Sequence, residues 1–213
     1  VCKESLHLAG YNYPGQTEMI AALAGAKQFI MILASDKLRV GLVTTHLPLR
    51  EVSSLLSREL ILEKILTLYE SLRAWFGIGE PSIAVTAVNP HASDGGIFGD
   101  EEARLIAPAV EEAKQQRLNV VGPLPADALF PHWRDYDGVL AMYHDQGMIP
   151  IKMTAFGQAI NFTGGLPFPR TSPDHGTAFD IAGRLIADPK SMLKAIHTAY
   201  EFAYRAKYLA TQK

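Results

Sequence analysis

Short β-rich runs separated by helical stretches set the limits on what this chain can become. FIMILAS (29–35), VGLVTT (40–45), SIAVTAV (82–88), NVVGP (119–123) and GVLAMY (138–143) are apolar with little alternation, the pattern of strands covered on both faces. Between them, residues 57–76 place Leu60, Ile61, Ile65, Leu68 and Leu72 along one helical face, with Gly77 as the stop. Asp100, Glu101 and Glu102 open another helix that continues through Ile106, Val110 and Ala113, its acids lying where a helix N-terminus favours them. A last helix runs from about Ser191 towards the end. This alternation predicts an α/β fold with a mainly parallel or mixed sheet flanked by helices. Residues 1–213 read as a single α/β unit without repeat or linker.

A chain of 213 residues, 48% apolar and 20% charged, can bury one substantial core, which argues against disorder. Its net charge of −2 comes with no basic stripe, so neither nucleic acid nor an anionic membrane is an expected partner. A small soluble ligand fits better. Cys2 is the only cysteine, which excludes an internal disulfide framework and a thiolate zinc site and suits a reducing cytoplasm. No apolar run reaches the roughly 20 residues of a spanning helix, and the first residues lack a signal-peptide layout. The expectation is a cytoplasmic protein.

AMYHDQG (141–147) raises the functional question, because a buried-looking strand ends abruptly on a titratable pair. The same happens where VGLVTT meets His46 and where SIAVTAV is followed by Asn89, Pro90 and His91. Ligands in open α/β sheets bind at the carboxyl ends of parallel strands, so His46, His91 and His144 share one predicted address. Three neutral imidazoles suit a divalent transition metal and leave positions open for water or substrate. The bland reading is a loop or capping residue at each site. His7, His132 and His197 have no such address and read as surface or packing residues. No compact HExxH or CxxC motif occurs, so the metal rests on convergence of distant segments.

Other polar residues keep two readings. Thr17 in YPGQTE (13–18) is either a helix N-cap with Glu18 in the first turn, or part of a phosphate-binding turn. Lys152 interrupts the apolar run IPIKM, either reaching solvent or meeting a buried anion. Arg170, between Pro169 and Thr171, is a solvated charge or a bidentate anion ligand. Asp127 in PLPAD can cap the segment after it, and Asp145 can orient an imidazole, approach a metal or take a proton. The Gly- and Pro-rich segment 162–176 reads as a functional loop.

VTTHLPL, NPHASDGG, GPLPADALF, AMYHDQG with Lys152 eight residues past its histidine, and LPFPRTSPDHGTA occur in this order along the chain. Together they resemble the 4-hydroxythreonine-4-phosphate dehydrogenase family of pyridoxine and pyridoxal phosphate biosynthesis. The resemblance implies a cation (zinc, cobalt, manganese or magnesium) on His46, His91 and His144, in a site shared across a homodimer interface. It implies that Gln16, Thr17, Lys152, Asn161 and Arg170 contact a small phosphorylated substrate, and that Asp127, Asp145 and Lys152 serve the chemistry, an oxidation followed by decarboxylation. HGTAFDIAGRLIADP (175–189) is similar to the nucleotide-binding stretch of isocitrate and isopropylmalate dehydrogenases, which implies that architecture, NAD or NADP as cofactor, and His175, Gly176 and Thr177 as its contacts.

Two departures stand out. Gln16 occupies a position that is commonly histidine in the family; an amide donates a hydrogen bond but carries no charge. Family members also carry about a hundred further residues upstream, an ordinary domain's worth. The chain therefore reads as the C-terminal two-thirds of a two-domain dehydrogenase, its last helices belonging to the domain that starts upstream. The rival functions are a related dehydrogenase for another phosphorylated hydroxy acid or a cis-diol carboxylate, and a shortened metal-binding module without turnover. A metal-dependent hydrolase would use the same histidines but leaves Lys152, Asn161 and Arg170 unexplained.

Overall fold

The computed structural model describes residues 3–13, 15–155 and 157–211; Cys2, and Pro14 of the YPGQTE turn, lie outside them. Helices α1 (Lys3–Leu8) and α2 (Gln16–Leu23) lead into strands β1 (Ile30–Ala34) and β2 (Arg39–Leu42). Helices α3 (Leu49–Leu55) and α4 (Arg58–Ala74) come next, then β3 (Ser82–Thr86), α5 (Ala107–Gln115), β4 (Asn119–Leu124), α6 (Ala126–Leu129) and β5 (Gly138–Ala141). Helix α7 (His144–Ala155), strands β6 (Ile160–Gly164) and β7 (Thr171–Pro173) and helix α8 (Lys190–Thr211) complete the order.

The strands form one sheet in the order β4-β3-β5-β2-β1-β6-β7. It is mixed and divided in two. The four strands β4, β3, β5 and β2 are parallel, whereas β1, β6 and β7 join antiparallel. The five predicted strands all form. Strands β6 and β7, however, lie within or beside the segment read as a loop. In β6 only Ile160 and Phe162 are large and apolar, on alternate positions, and the flanking glycines and prolines mask them.

Helix α4 forms as its periodicity predicts. Ser57 caps it by accepting from the Leu60 amide at 3.0 Å, and Gly77 takes φ 74° beyond its end. Ile61, Ile65, Leu68 and Leu72 are fully buried against the sheet with Val110 and Ala113 of α5 and Phe202 of α8. The opposite sheet face buries Leu33, Val40 and Ala141 under Ile151 and Ala155 of α7 and Trp133. The helix expected from Asp100 begins as a widened π-helical turn at Glu102–Ile106 before becoming α5.

IPIKM lies in the C-terminal half of α7, which contains Pro150. Ile151 faces the core while Lys152 is exposed, so no buried ammonium arises within the chain. Two capping readings fail. Gly15 occupies the cap position of α2 and Pro125 that of α6; Thr17 and Asp127 sit inside those helices instead. Along α8, Leu193, Ile196, Tyr200 and Tyr204, three and four residues apart, leave an exposed apolar stripe. No helix among the described residues is long and apolar enough to cross a membrane.

Candidate active site

The four parallel strands bring the chemistry-bearing residues to one edge. Following their carboxyl ends in spatial order, β4 leads to Asp127, β3 to His91, β5 to His144 and β2 to His46. The shared strand-end address thus holds. Ring convergence is narrower, because only the His46 and His144 centroids meet, at 5.7 Å. Backbone pairing explains it: Val43 and Thr44 donate to the carbonyls of Ala141 and Met142 at 2.9 and 3.2 Å, and the Thr44 hydroxyl donates to Met142 at 2.8 Å. The two histidine segments continue the β2–β5 ladder.

His91 instead lies beside Phe98, with ring centroids 6.3 Å apart. No cluster of three potential metal ligands forms among the described residues of one chain. His46 and His144 with their carboxylate neighbour are a partial donor set for a divalent ion; one chain falls short of the expected three. His46 and His91 are exposed and His144 half-buried, whereas His7, His132 and His197 are exposed elsewhere.

The residues of HDQG each do a separate job. Asp145 Oδ1 lies 2.7 Å from His144 Nδ1; with the proton on Nδ1, Nε2 is left to bind a ligand. Gln146 accepts from the Thr86 hydroxyl and the Met142 amide and donates to the Ala87 carbonyl, each at 2.7 Å. It therefore locks the start of α7 to β3 and β5. Gly147 lets α7 settle on the sheet, since a Cβ there would come within 2.6 Å of Leu42 Cδ2, 2.8 Å of Val40 Cγ1 and 3.2 Å of Ala141 Cβ. We expect Gly147→Ala to cost about 1–3 kcal/mol as overpacking, lowering Tm by roughly 2–12 °C for a chain of this size. Thermal unfolding followed by circular dichroism checks this, and an unchanged Tm would contradict the tight seat.

A second cluster forms around Arg170. Its Nη1 donates to Thr17 Oγ1 at 2.9 Å and Thr163 Oγ1 at 2.7 Å, and Nη2 to Gln16 Oε1 at 3.3 Å. These partners are neutral, and Arg170 makes no ion pair among the described residues. Burial lowers its pKa, partly opposed by the charge of Glu18. A half-buried guanidinium held by hydroxyls and an amide is a site short of an anion. Asn161 and Thr163 are two positions apart on β6, so both side chains project from the same face of the sheet. Asn161 Oδ1 is buried without a hydrogen-bond partner, a cost that a ligand donor would relieve. A cavity of about 410 Å³ is lined by Thr17 and Glu18 at one place and Thr44, Thr45 and His46 at another, with Lys64 of α4 also on its wall. Exposed Lys152 lines a shallow surface hollow with His144, Asp145 and Met148. Asp127 is exposed.

His175, Gly176 and Thr177 are exposed, with His175 Nδ1 3.0 Å from the Gly176 carbonyl. Neither Gln146 nor Glu102 stands out in the sequence as a site residue. Glu102, read there as a helix-start acid, is only 4% exposed and accepts from the amides of Val88 and Asn89, both at 2.8 Å. Burial alone would raise its pKa; hydrogen bonds from Ser93 and Asn89 outweigh that and hold it below the ordinary range.

Comparison with known proteins places this geometry. The profile of the family described as "Pyridoxal phosphate biosynthetic protein PdxA" matches residues 1–199. A 4-hydroxythreonine-4-phosphate dehydrogenase from Geobacter metallireducens is 50% identical over 206 residues, covering 95% of this chain and 60% of that protein. The D-threonate 4-phosphate dehydrogenase of Salmonella typhimurium is 46% identical, covering 94% and 62%. The crystal structure of 4-hydroxythreonine-4-phosphate dehydrogenase from Klebsiella pneumoniae superposes with a TM-score of 0.86 at 46% identity, over 95% of this chain and 62% of that one. The chain thus spans about three fifths of the length of the proteins it matches. On a family match that leaves out only residues 200–213, and on relatives about half identical, the chain belongs to the PdxA family of pyridoxal phosphate biosynthetic proteins.

Proposed function

We propose that this chain supplies the metal- and phosphate-binding part of an NAD(P)-linked dehydrogenase that oxidises and decarboxylates 4-phosphohydroxy-L-threonine. The observation that carries this reading is Arg170, a half-buried cation bonded among the described residues only to neutral groups and sharing Thr17 with a cavity that reaches His46. Arg170, with Gln16 and Thr17, would bind the phosphate, and Asn161 would accept from a substrate hydroxyl or amine.

His46, His91 and His144 would hold a divalent ion, zinc, cobalt, manganese or magnesium, with a second copy of the chain completing the set. That ion, when bound, stabilises negative charge developing on substrate oxygens. Apolar residues flanking the histidine segments, Leu49, Ile97, Phe98, Ile149 and Met153, are exposed, which suits a homodimer interface there. One oxygen of Asp145 already orients His144; its other oxygen, Asp127 beyond the end of β4, or a water between them would accept the hydroxyl proton. Lys152, two helical turns beyond His144 on α7, would attract the substrate's anionic end. By likeness to isocitrate and isopropylmalate dehydrogenases, NAD or NADP would lie along His175, Gly176 and Thr177, which are exposed; the two-domain architecture comes from the same likeness.

The test is nicotinamide reduction by the full chain with added metal and 4-phosphohydroxy-L-threonine, with D-threonate 4-phosphate and a cis-diol carboxylate as rivals. Gln16, an amide at the phosphate cluster, favours including the rivals. Arg170→Ala should weaken binding of the phosphorylated substrate about tenfold to a hundredfold, the worth of one charge-assisted hydrogen bond. Titration calorimetry showing equal affinity would remove Arg170 from the site.

A further inference from the structure

The backbone around His91 is unusual. His91, Ala92, Ser93 and Asp94 have φ of 53°, 52°, 68° and 43°, and Gly95 comes next at 70°. Together they make a left-handed helical turn in which four consecutive residues are not glycine. Each such residue is disfavoured relative to right-handed backbone because its Cβ crowds the following carbonyl oxygen. His91 and Asp94 are residue types that enter this region more readily, but Ala92 and Ser93 are not, and the two glycines come last. Contacts from outside the turn must help to hold it.

One buried side chain is placed to do so. Oε1 of Glu102 accepts from the amides of Val88 and Asn89, both at 2.8 Å, on the limb entering the turn. Oε2 accepts from Asn89 Nδ2 at 3.0 Å and from the hydroxyl of Ser93, the buried residue at the centre of the turn. A carboxylate can accept several hydrogen bonds at once, and here each oxygen takes two. Neighbouring Glu101 takes the second hydrogen of Asn89 Nδ2 at 2.7 Å and the hydroxyl of Ser53 from α3. The widened turn that carries Glu102 is thereby tied both to the His91 loop and to the helix after His46.

We propose that Glu102 is a positioning residue: by clamping the entering limb and the centre of the left-handed turn, it fixes where His91 is presented. The link to metal rests on the proposed role of His91; the clamp on the turn does not. An amide at this position has one oxygen, so in Glu102→Gln either the Val88 and Asn89 amides or the Asn89 and Ser93 side chains lose an acceptor.

The test uses the full chain, isotope-labelled, with two readouts. The first is the intraresidue amide-to-Hα nuclear Overhauser effect at residues 91–94, strong where φ is positive. The second is affinity for Co(II) alone. Glu102→Gln should lose the strong effects and weaken Co(II) about tenfold to a hundredfold, the range for losing a group that orients a metal ligand. Retention of both in Glu102→Gln overturns the proposal. If that variant does not fold, Ser93→Ala, which removes one of the four bonds, is read in the same two ways with the same criteria. His91→Ala separates the premises. Unchanged Co(II) affinity there removes His91 from the metal site, while the Overhauser readout still decides whether Glu102 holds the turn.

Discussion

His144→Ala should abolish tight binding of a divalent cation, reducing affinity by more than about a hundredfold, because losing a group that only orients a ligand already costs up to about that much. His144 faces His46 at 5.7 Å, has Asp145 on its Nδ1, and stands on a helix start locked by Gln146. Three neighbours are arranged around one imidazole. Gln146 and Gly147 are untouched by the substitution, so the fold should persist and the loss should be local. Calorimetric titration with Zn(II) or Co(II), alongside thermal unfolding, separates the two effects. Native affinity in a folded variant would remove His144 from the site and with it the reading of this edge as a metal centre. Asp145→Asn should fall between, since an amide can keep the contact to Nδ1 without the charge that favours a protonated or cation-bound ring.

The largest loss of stability should come from Phe162→Ala. Phe162 is fully buried and packs on Trp75, Phe76 and Phe202 at centroid distances of 6.2, 5.7 and 5.2 Å, mostly edge to face. Its ring joins β6, the end of α4 and α8, so truncation leaves a cavity shared by three elements. The expected cost is about 3–5 kcal/mol, or roughly 6–20 °C in Tm for a chain of this size. Denaturant unfolding should show a lower midpoint with the slope retained. A change below about 1 kcal/mol would mean that α8 repacks freely on the sheet.

Legibility in the sequence depends on which features are coded locally. The five apolar runs and the α4 face carry their own periodicity, and each formed. Strand β6 did not announce itself, because INFTG offers two large apolar residues inside a Gly- and Pro-rich stretch, and its pairing with β1 is a long-range choice. Helix α7 was hidden by Pro150 and by a start on His-Asp. The strand-end address of the histidines was legible because topology places all such ends on one edge. Which rings meet was not, since that depends on how far the β2–β5 ladder continues. The turn at His91 was least legible, because its left-handed backbone is held with the help of a glutamate eleven residues downstream.

The stripe of Leu193, Ile196, Tyr200 and Tyr204 on α8 bears on how these variants must be measured. A greasy seam of this kind adsorbs fluorescent hydrophobic dyes while the protein is still native, so dye-based melting would start from a raised baseline and understate the differences between variants. The same seam should retain the folded chain on a phenyl column at moderate salt, and ellipticity, indifferent to surface adsorption, is the signal from which the melting temperatures should be taken.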